Sequence, residues 1–316
     1  MFGLIVRRAA TSLLTLILIS VMVFIGLELM PGDACTAHLG RDGKGALLEA
    51  CRARMGLDAS PVARFAQWAG NLITGDLGTS MQRDKPIAEI VGWRLRNTLI
   101  LTAASALMGI PLAVFLGIMA GLRRDGPLDL ATSGTALVAM TIPEFVSATL
   151  LILVFAIGLG WTAGVVTIGY KAPVADMAVA SVLPAVVLSM VLAAHIMRMV
   201  RASVIDVMDS DFVLMARLKG VPRRQIVLRH VVPNSLLPVI SVIGLTIAWL
   251  LGGVVIVESV FNYPGLGRLA VDAVGDRDLP LVQAIALIFG ITYVLTNLAA
   301  DIAALLLNPR LRTYRA

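Results

Sequence analysis

Residues 211–238 read DFVLMARLKGVPRRQIVLRHVVPNSLLP, a basic stretch set between two apolar ones. It carries Arg217, Lys219, Arg223, Arg224 and Arg229. Asp211 to Lys219 has the make-up of a short helix, with Asp209 and Ser210 just ahead of it as candidate caps. Gly220 can take the left-handed conformation that ends a helix. Pro222 suits the first turn of a second helix, where its missing N–H costs little. The spacing predicts two short helices joined by a glycine turn, a compact knob on a membrane face. Such a knob is rigid, so it can seat in a groove and transmit a push, which an irregular loop does poorly.

The rest of the chain explains why the knob stands on a membrane. Of 316 residues, 58% are hydrophobic and only 15% are charged, and the mean hydropathy is +0.90. A soluble domain cannot hide that much apolar surface, so the expected class is an all-α polytopic membrane protein. The net charge of +6 could point to nucleic acid, but the charges sit in loops between apolar spans, where they report orientation instead. Aromatic residues make up 5%, too few for a base-stacking platform. No nucleic-acid partner is expected; membrane lipid is.

In chain order, a basic start at Arg7 and Arg8 precedes span 1, about 9–30, which is longer than the apolar core of a signal peptide and long enough for a bilayer. Residues 31–97 form a long polar region with nine Lys or Arg, a length at which the charge rule weakens. Helical apolar spacing at Leu47–Met55 and Val62–Ile73 predicts short helices outside the membrane. Cys35 and Cys51 both fall here. If the region is extracytoplasmic a disulfide is allowed, and two unpaired thiols fit as well. With only His38 nearby they make no metal site.

Span 2 is about 98–121, with Pro111 inside, and span 3 about 129–159, divided by Pro143, where a kinked or locally unwound helix is expected. Glu144 follows the kink at mid-depth, where a carboxylate is expensive and should face protein or a water-filled path. An outer loop, 160–178, leads to span 4, about 179–198, in which His195 is expected to pack or lie at the interface rather than relay protons. The polar segment 198–233 holds seven Lys or Arg, the strongest orientation signal in the chain, and places that face in the cytoplasm. Span 5, about 236–257, contains Gly252 and Gly253, which would allow close helix approach. Glu258, at its edge, is a second pathway candidate. Span 6 is about 281–307. Six spans with both termini cytoplasmic follow. The expected divisions are 1–30, a first span; 31–97, an extracytoplasmic insertion; and 98–316, the core, with a coupling segment at 201–233.

Several stretches resemble one family. Ala216-Arg217-Leu218-Lys219-Gly220, with His230, Asn234 and Pro238, is similar to the EAA loop of ABC importer permeases, in the form roughly ARAKG…RHxxRNAxxP of the dipeptide/oligopeptide/nickel branch. Leu214 stands where that loop has its Glu, Met215 where the branch often has Thr, and Pro233 where it often has Arg. PGD at 31–33, MGLD at 55–58, GDLGTS at 75–80 with RLRNTLIL at 94–101, ESVFNYPGLGRLAVDAVGDRDLP at 258–280, and Asn308-Pro309-Arg310-Leu311-Arg312 resemble further landmarks in order.

The resemblance implies a type I importer permease fold in a bacterial inner membrane. It implies as partners a second related permease, two ATPase subunits and an extracytoplasmic binding protein. ATP and Mg would bind the ATPase partners, and no cofactor this chain. Asp211, Phe212, Ala216, Arg217, Lys219, Gly220, Arg223 and Arg224 would couple to the ATPase; Asp33, Asp76 and the 258–280 loop would face the binding protein.

The chain offers no catalytic constellation. PGLG at 264–267 lacks the Lys-Ser/Thr of a phosphate loop, and His195 and His230 have no nearby nucleophile. It is expected to be a transport subunit, not an enzyme. Short peptides are the expected cargo; nickel or a metal chelate is the alternative within the family, and a gradient-driven transporter or channel is the alternative of another class.

Overall fold

The computed structural model describes residues 2–29, 34–40, 44–54 and 56–307, and every regular element among them is helical. The landmarks at 31–33 and 308–312, including Asp33, lie outside the described residues.

The apolar span α1 (Phe2–Glu28) is followed by a three-helix insertion: α2 (Ala34–Leu39), α3 (Ala46–Arg54) and α4 (Pro61–Ile73). A disulfide between Cys35 and Cys51 joins α2 to α3. Pro61 opens α4, and the Ala63 N–H donates to the Ser60 hydroxyl ahead of it. Its apolar face lays Phe65 and Trp68 on Phe24 of α1, with ring centroids 5.2 and 6.4 Å away. Arg64 pairs with Glu28, so the last carboxylate of α1 is held by the insertion.

Helix α5 (Ile87–Leu122) starts well ahead of the expected span. Its 36 residues make a rod of about 54 Å against a hydrocarbon layer of about 30 Å. The extra turns are stabilised outside that layer: Ile87, Ile90 and Val91 are buried with Leu266, Leu269 and Leu281 in a small second core. Pro111 is accommodated within the helix.

The third span, expected to be kinked or locally unwound at Pro143, is two helices, α6 (Pro127–Thr141) and α7 (Glu144–Leu151), the latter running on as a π-type turn to Gly158; they are bent by 105°. Ile142, preceding Pro143, takes an extended conformation, as a residue before proline is driven to do. The result is a break rather than a kink.

After α8 (Val174–Ala180), α9 (Val182–Met208) forms the buried centre of the bundle and overruns the expected end near 198. It packs most closely on α5. A Cβ on Gly117 would sit 2.6 Å from Val200, and Gly109 and Gly121 are similarly crowded by α9. These are the close-approach glycines of the α5–α9 pair. Gly252, expected to allow close helix approach, faces open space.

Helix α10 (Asp211–Leu218) is separate, but α11 (Arg223–Ile226) continues through a π-type turn, Val227–Val231, into α12 (Val232–Val260). The expected second helix of the knob is thus the root of a long span. Two helices close the chain, α13 (Leu266–Gly275) and α14 (Leu279–Leu307). Among the described residues, five helices are long and apolar enough to cross a membrane, and six if the bent pair counts as one span.

Candidate functional sites

At the basic end, Val213 of α10 and Ile226 of α11 are buried in the main core, fixing both arms of the turn. Gly220 has φ +74°. The Gly220 N–H donates to the Arg217 carbonyl and the Val221 N–H to the Ala216 carbonyl, the paired bonds that close a helix over a left-handed residue. Ser210 precedes α10, but its hydroxyl donates back to the Val207 carbonyl at 2.5 Å instead of capping. Asp209 accepts a bond from Arg124.

The outward face of α10 is apolar. Phe212, Leu214, Met215 and Leu218 are 45, 54, 53 and 74% exposed. Asp211, Arg217, Lys219, Gly220, Arg223 and Arg224 are also exposed, and Arg223 reaches the Leu122 carbonyl at 3.4 Å. Ala216 differs from the other expected coupling residues: it turns inward against the core. Beneath this surface, Arg201 of α9 grips Asp129 of α6 with two nitrogens, and the Asp125 N–H and Ser133 hydroxyl complete the carboxylate's shell. Neither Asp129 nor Arg201 stood out in the sequence.

At the insertion end, Glu258 overturns its expected role. Its carboxylate is fully buried: Thr98 donates to it at 2.6 Å and the Arg268 N–H at 3.0 Å. The Leu266 N–H donates in turn to Thr98 Oγ1 at 2.8 Å. Glu258 therefore fastens the PGLG turn and the first turn of α13 onto α5 and lines no path. Asn97 adds bonds to the Tyr170 and Pro264 carbonyls, and the Tyr263 hydroxyl donates to the Asn97 carbonyl at 3.0 Å. Burial pushes the Tyr263 phenol up to about 12, so it stays a donor. Buried Asp278 likewise ties Ser80, Met81 and Leu281 together, linking the GDLGTS and RDLP stretches. Asp76 is exposed on this end, beside a groove of about 390 Å³ between α1, α4 and the start of α14.

At the helix break, Glu144 opens α7 and is half-buried. It forms no hydrogen bond or ion pair with a described residue. Its carboxylate lies over Gly253, where a Cβ would come 2.7 Å from Oε1. The glycine thus makes room for the carboxylate rather than for a helix. Among the described residues no group of His, Cys, Asp or Glu could hold a metal ion.

Apolar helices with one broken member, a basic turn with a bare apolar face at one end and a locked loop at the other define a polytopic membrane transport subunit. Residues 113–313 match the family of binding-protein-dependent transport system inner membrane components, and residues 1–102 match the N-terminal part of such a membrane component. The chain belongs to this family: it is a permease subunit of an ABC importer, a multi-pass protein of the inner membrane. It is similar to the glutathione transport system permease protein GsiC of Pectobacterium atrosepticum, 36% identical over 307 residues, which cover 97% of this chain and 98% of that one. The protein of the same name from Escherichia coli K12 is 35% identical over 312 residues, 99% of each chain. The resemblance to the dipeptide/oligopeptide/nickel branch is borne out.

Proposed function

We propose that this chain forms half of the translocation pathway of an ATP-driven peptide importer. A second, related permease supplies the other half, two ATPase subunits bind at the basic end, and a binding protein delivers cargo at the insertion end. Both termini are cytoplasmic. ATP and Mg bind the ATPase subunits, whose closure draws the α10 turns together and opens the pathway outward.

The observation that carries this reading is the outward face of α10. Phe212, Leu214, Met215 and Leu218 present apolar surface on a helix anchored by Val213 and stopped by Gly220, inside a segment too basic to enter a membrane. Exposed apolar surface on a rigid, charged mount is the surface of a protein interface. Peptide cargo is supported by the relatives named for glutathione, a short peptide carrying an ammonium and carboxylates.

Purification in mild detergent tests the reading. An ATPase and a second permease should accompany the chain, and Leu218→Asp should release the ATPase while leaving the second permease bound. A chain that purifies alone or only with copies of itself, at every detergent strength, would overturn it.

A further inference from the structure

Glu144 is one corner of a cluster drawn from four helices. Gly253, against its carboxylate, lies one turn beyond Trp249 on α12. The Trp249 ring is 5.8 Å from the His195 ring on α9. One turn further along α9, Arg198 Nη1 donates to Met140 Sδ on α6 at 3.5 Å, and Met140 lies just before the break that Glu144 follows. His195, Arg198 and Trp249 are all exposed, and His195 stands midway along α9.

The direction of Arg198 is telling. Arg198 and Arg201 differ by about 4.5 Å along α9, yet their partners Met140 and Asp129 lie about 16 Å apart along α6. The two side chains therefore diverge: Arg201 reaches toward the basic end and Arg198 along the surface of the bundle toward the break. An arginine seeking interfacial water would do the opposite. No ion pair joins Arg198 to Glu144 or to any other described carboxylate. A cation and a carboxylate held unpaired at membrane depth are costly unless something charged or wet lies between them.

We propose that this cluster is a contact site for the charged ends of a zwitterionic peptide, Glu144 receiving the ammonium group and Arg198 the carboxylate. The indole of Trp249 packs against the peptide's apolar atoms, and the exposed ring of His195 supplies a further hydrogen-bonding edge. Gly253 leaves the carboxylate free to meet cargo, and the α6–α7 break places it on the wall. The proposal rests on the importer reading and adds to it which side chains touch cargo and by which charges.

The test compares uptake of trialanine, its N-acetyl form and its C-terminal amide by cells carrying the complete importer. Glu144→Gln should lower trialanine and amide uptake at least tenfold and spare the N-acetyl form. Arg198→Gln should lower trialanine and the N-acetyl form and spare the amide. Should the wild type refuse a capped form, maleimide labelling of His195→Cys in the purified complex gives the second readout: trialanine should slow it severalfold, and less so when Glu144→Gln is added. Equal loss of all forms in either variant, or unchanged uptake and labelling, would overturn the site while leaving the importer intact. A wild type that carries no peptide at all would overturn the peptide reading and the site with it.

Discussion

Glu258 is a carboxylate removed from water, and its cost is offset locally. It accepts bonds from Thr98 and from the backbone of α13, and the same hydroxyl of Thr98 receives the N–H of Leu266. Removing the carboxylate leaves a buried hydroxyl and a backbone donor without their acceptor, each worth about 1–3 kcal/mol. Glu258→Ala should therefore cost about 3 kcal/mol and lower the thermal unfolding midpoint of the detergent-solubilised protein by several degrees. Thr98→Val should do roughly half as much. An unchanged midpoint would refute the latch. The latch was not legible in sequence because Glu258 and Thr98 are distant in the chain, and a carboxylate at a span's edge reads equally as wall or lock. Gly220 was legible because its partners are its neighbours: the left-handed turn needs only a helix before it and a residue without a Cβ.

Between elements, the ion pair of Asp129 and Arg201 does what the core cannot. Helix α9 leads directly into α10, so a displacement of the apolar turn reaches α9 first. The Arg201 guanidinium would pass it to the base of α6, and α6 ends at the break that carries Glu144. Asp129→Asn keeps the shape and two acceptor contacts but removes the charge. Its expected outcome is importer that assembles and hydrolyses ATP while cargo uptake falls about tenfold; a stability loss of about 2 kcal/mol accompanies it, smaller than for a fully buried pair because Arg201 is partly exposed. Uptake and ATPase rates measured on the same preparation decide it, and uptake that tracks hydrolysis would sink the lever. The spans were legible as apolar runs, whereas their boundaries were not. The outer turns of α5 are stabilised by α13 and α14, and the inner turns of α9 by α6 and α12, contacts that carry no local periodicity. Pro143 was visible as an interruption, but 105° of bend is set by what the two halves pack against.

For the whole molecule, the two ends are chemically opposite. The basic end gathers Arg123, Arg124, Arg201, Lys219, Arg223, Arg224 and Arg229 in short connections and the helix ends that flank them. The other end holds the disulfide-tied insertion and the two locked loops. Short basic connections favour the cytoplasm, and a disulfide persists only in an oxidising compartment, so two independent arguments support the proposed orientation. Cys35 and Cys51 are bonded to each other and should not react with thiol reagents, so an introduced cysteine can be read without removing them. Lys171→Cys lies in an exposed loop at the insertion end, where its ion pair with Glu89 is solvent-screened and its loss should be tolerated. A membrane-impermeant maleimide should label it in intact spheroplasts. Arg224→Cys, exposed beside the α10 turn, should react only after permeabilisation, and more slowly when the ATPase is bound than when it is absent. The reverse pattern would put the apolar face of α10 outside the cell, where no ATP-driven partner could use it, and would remove the coupling role together with the topology.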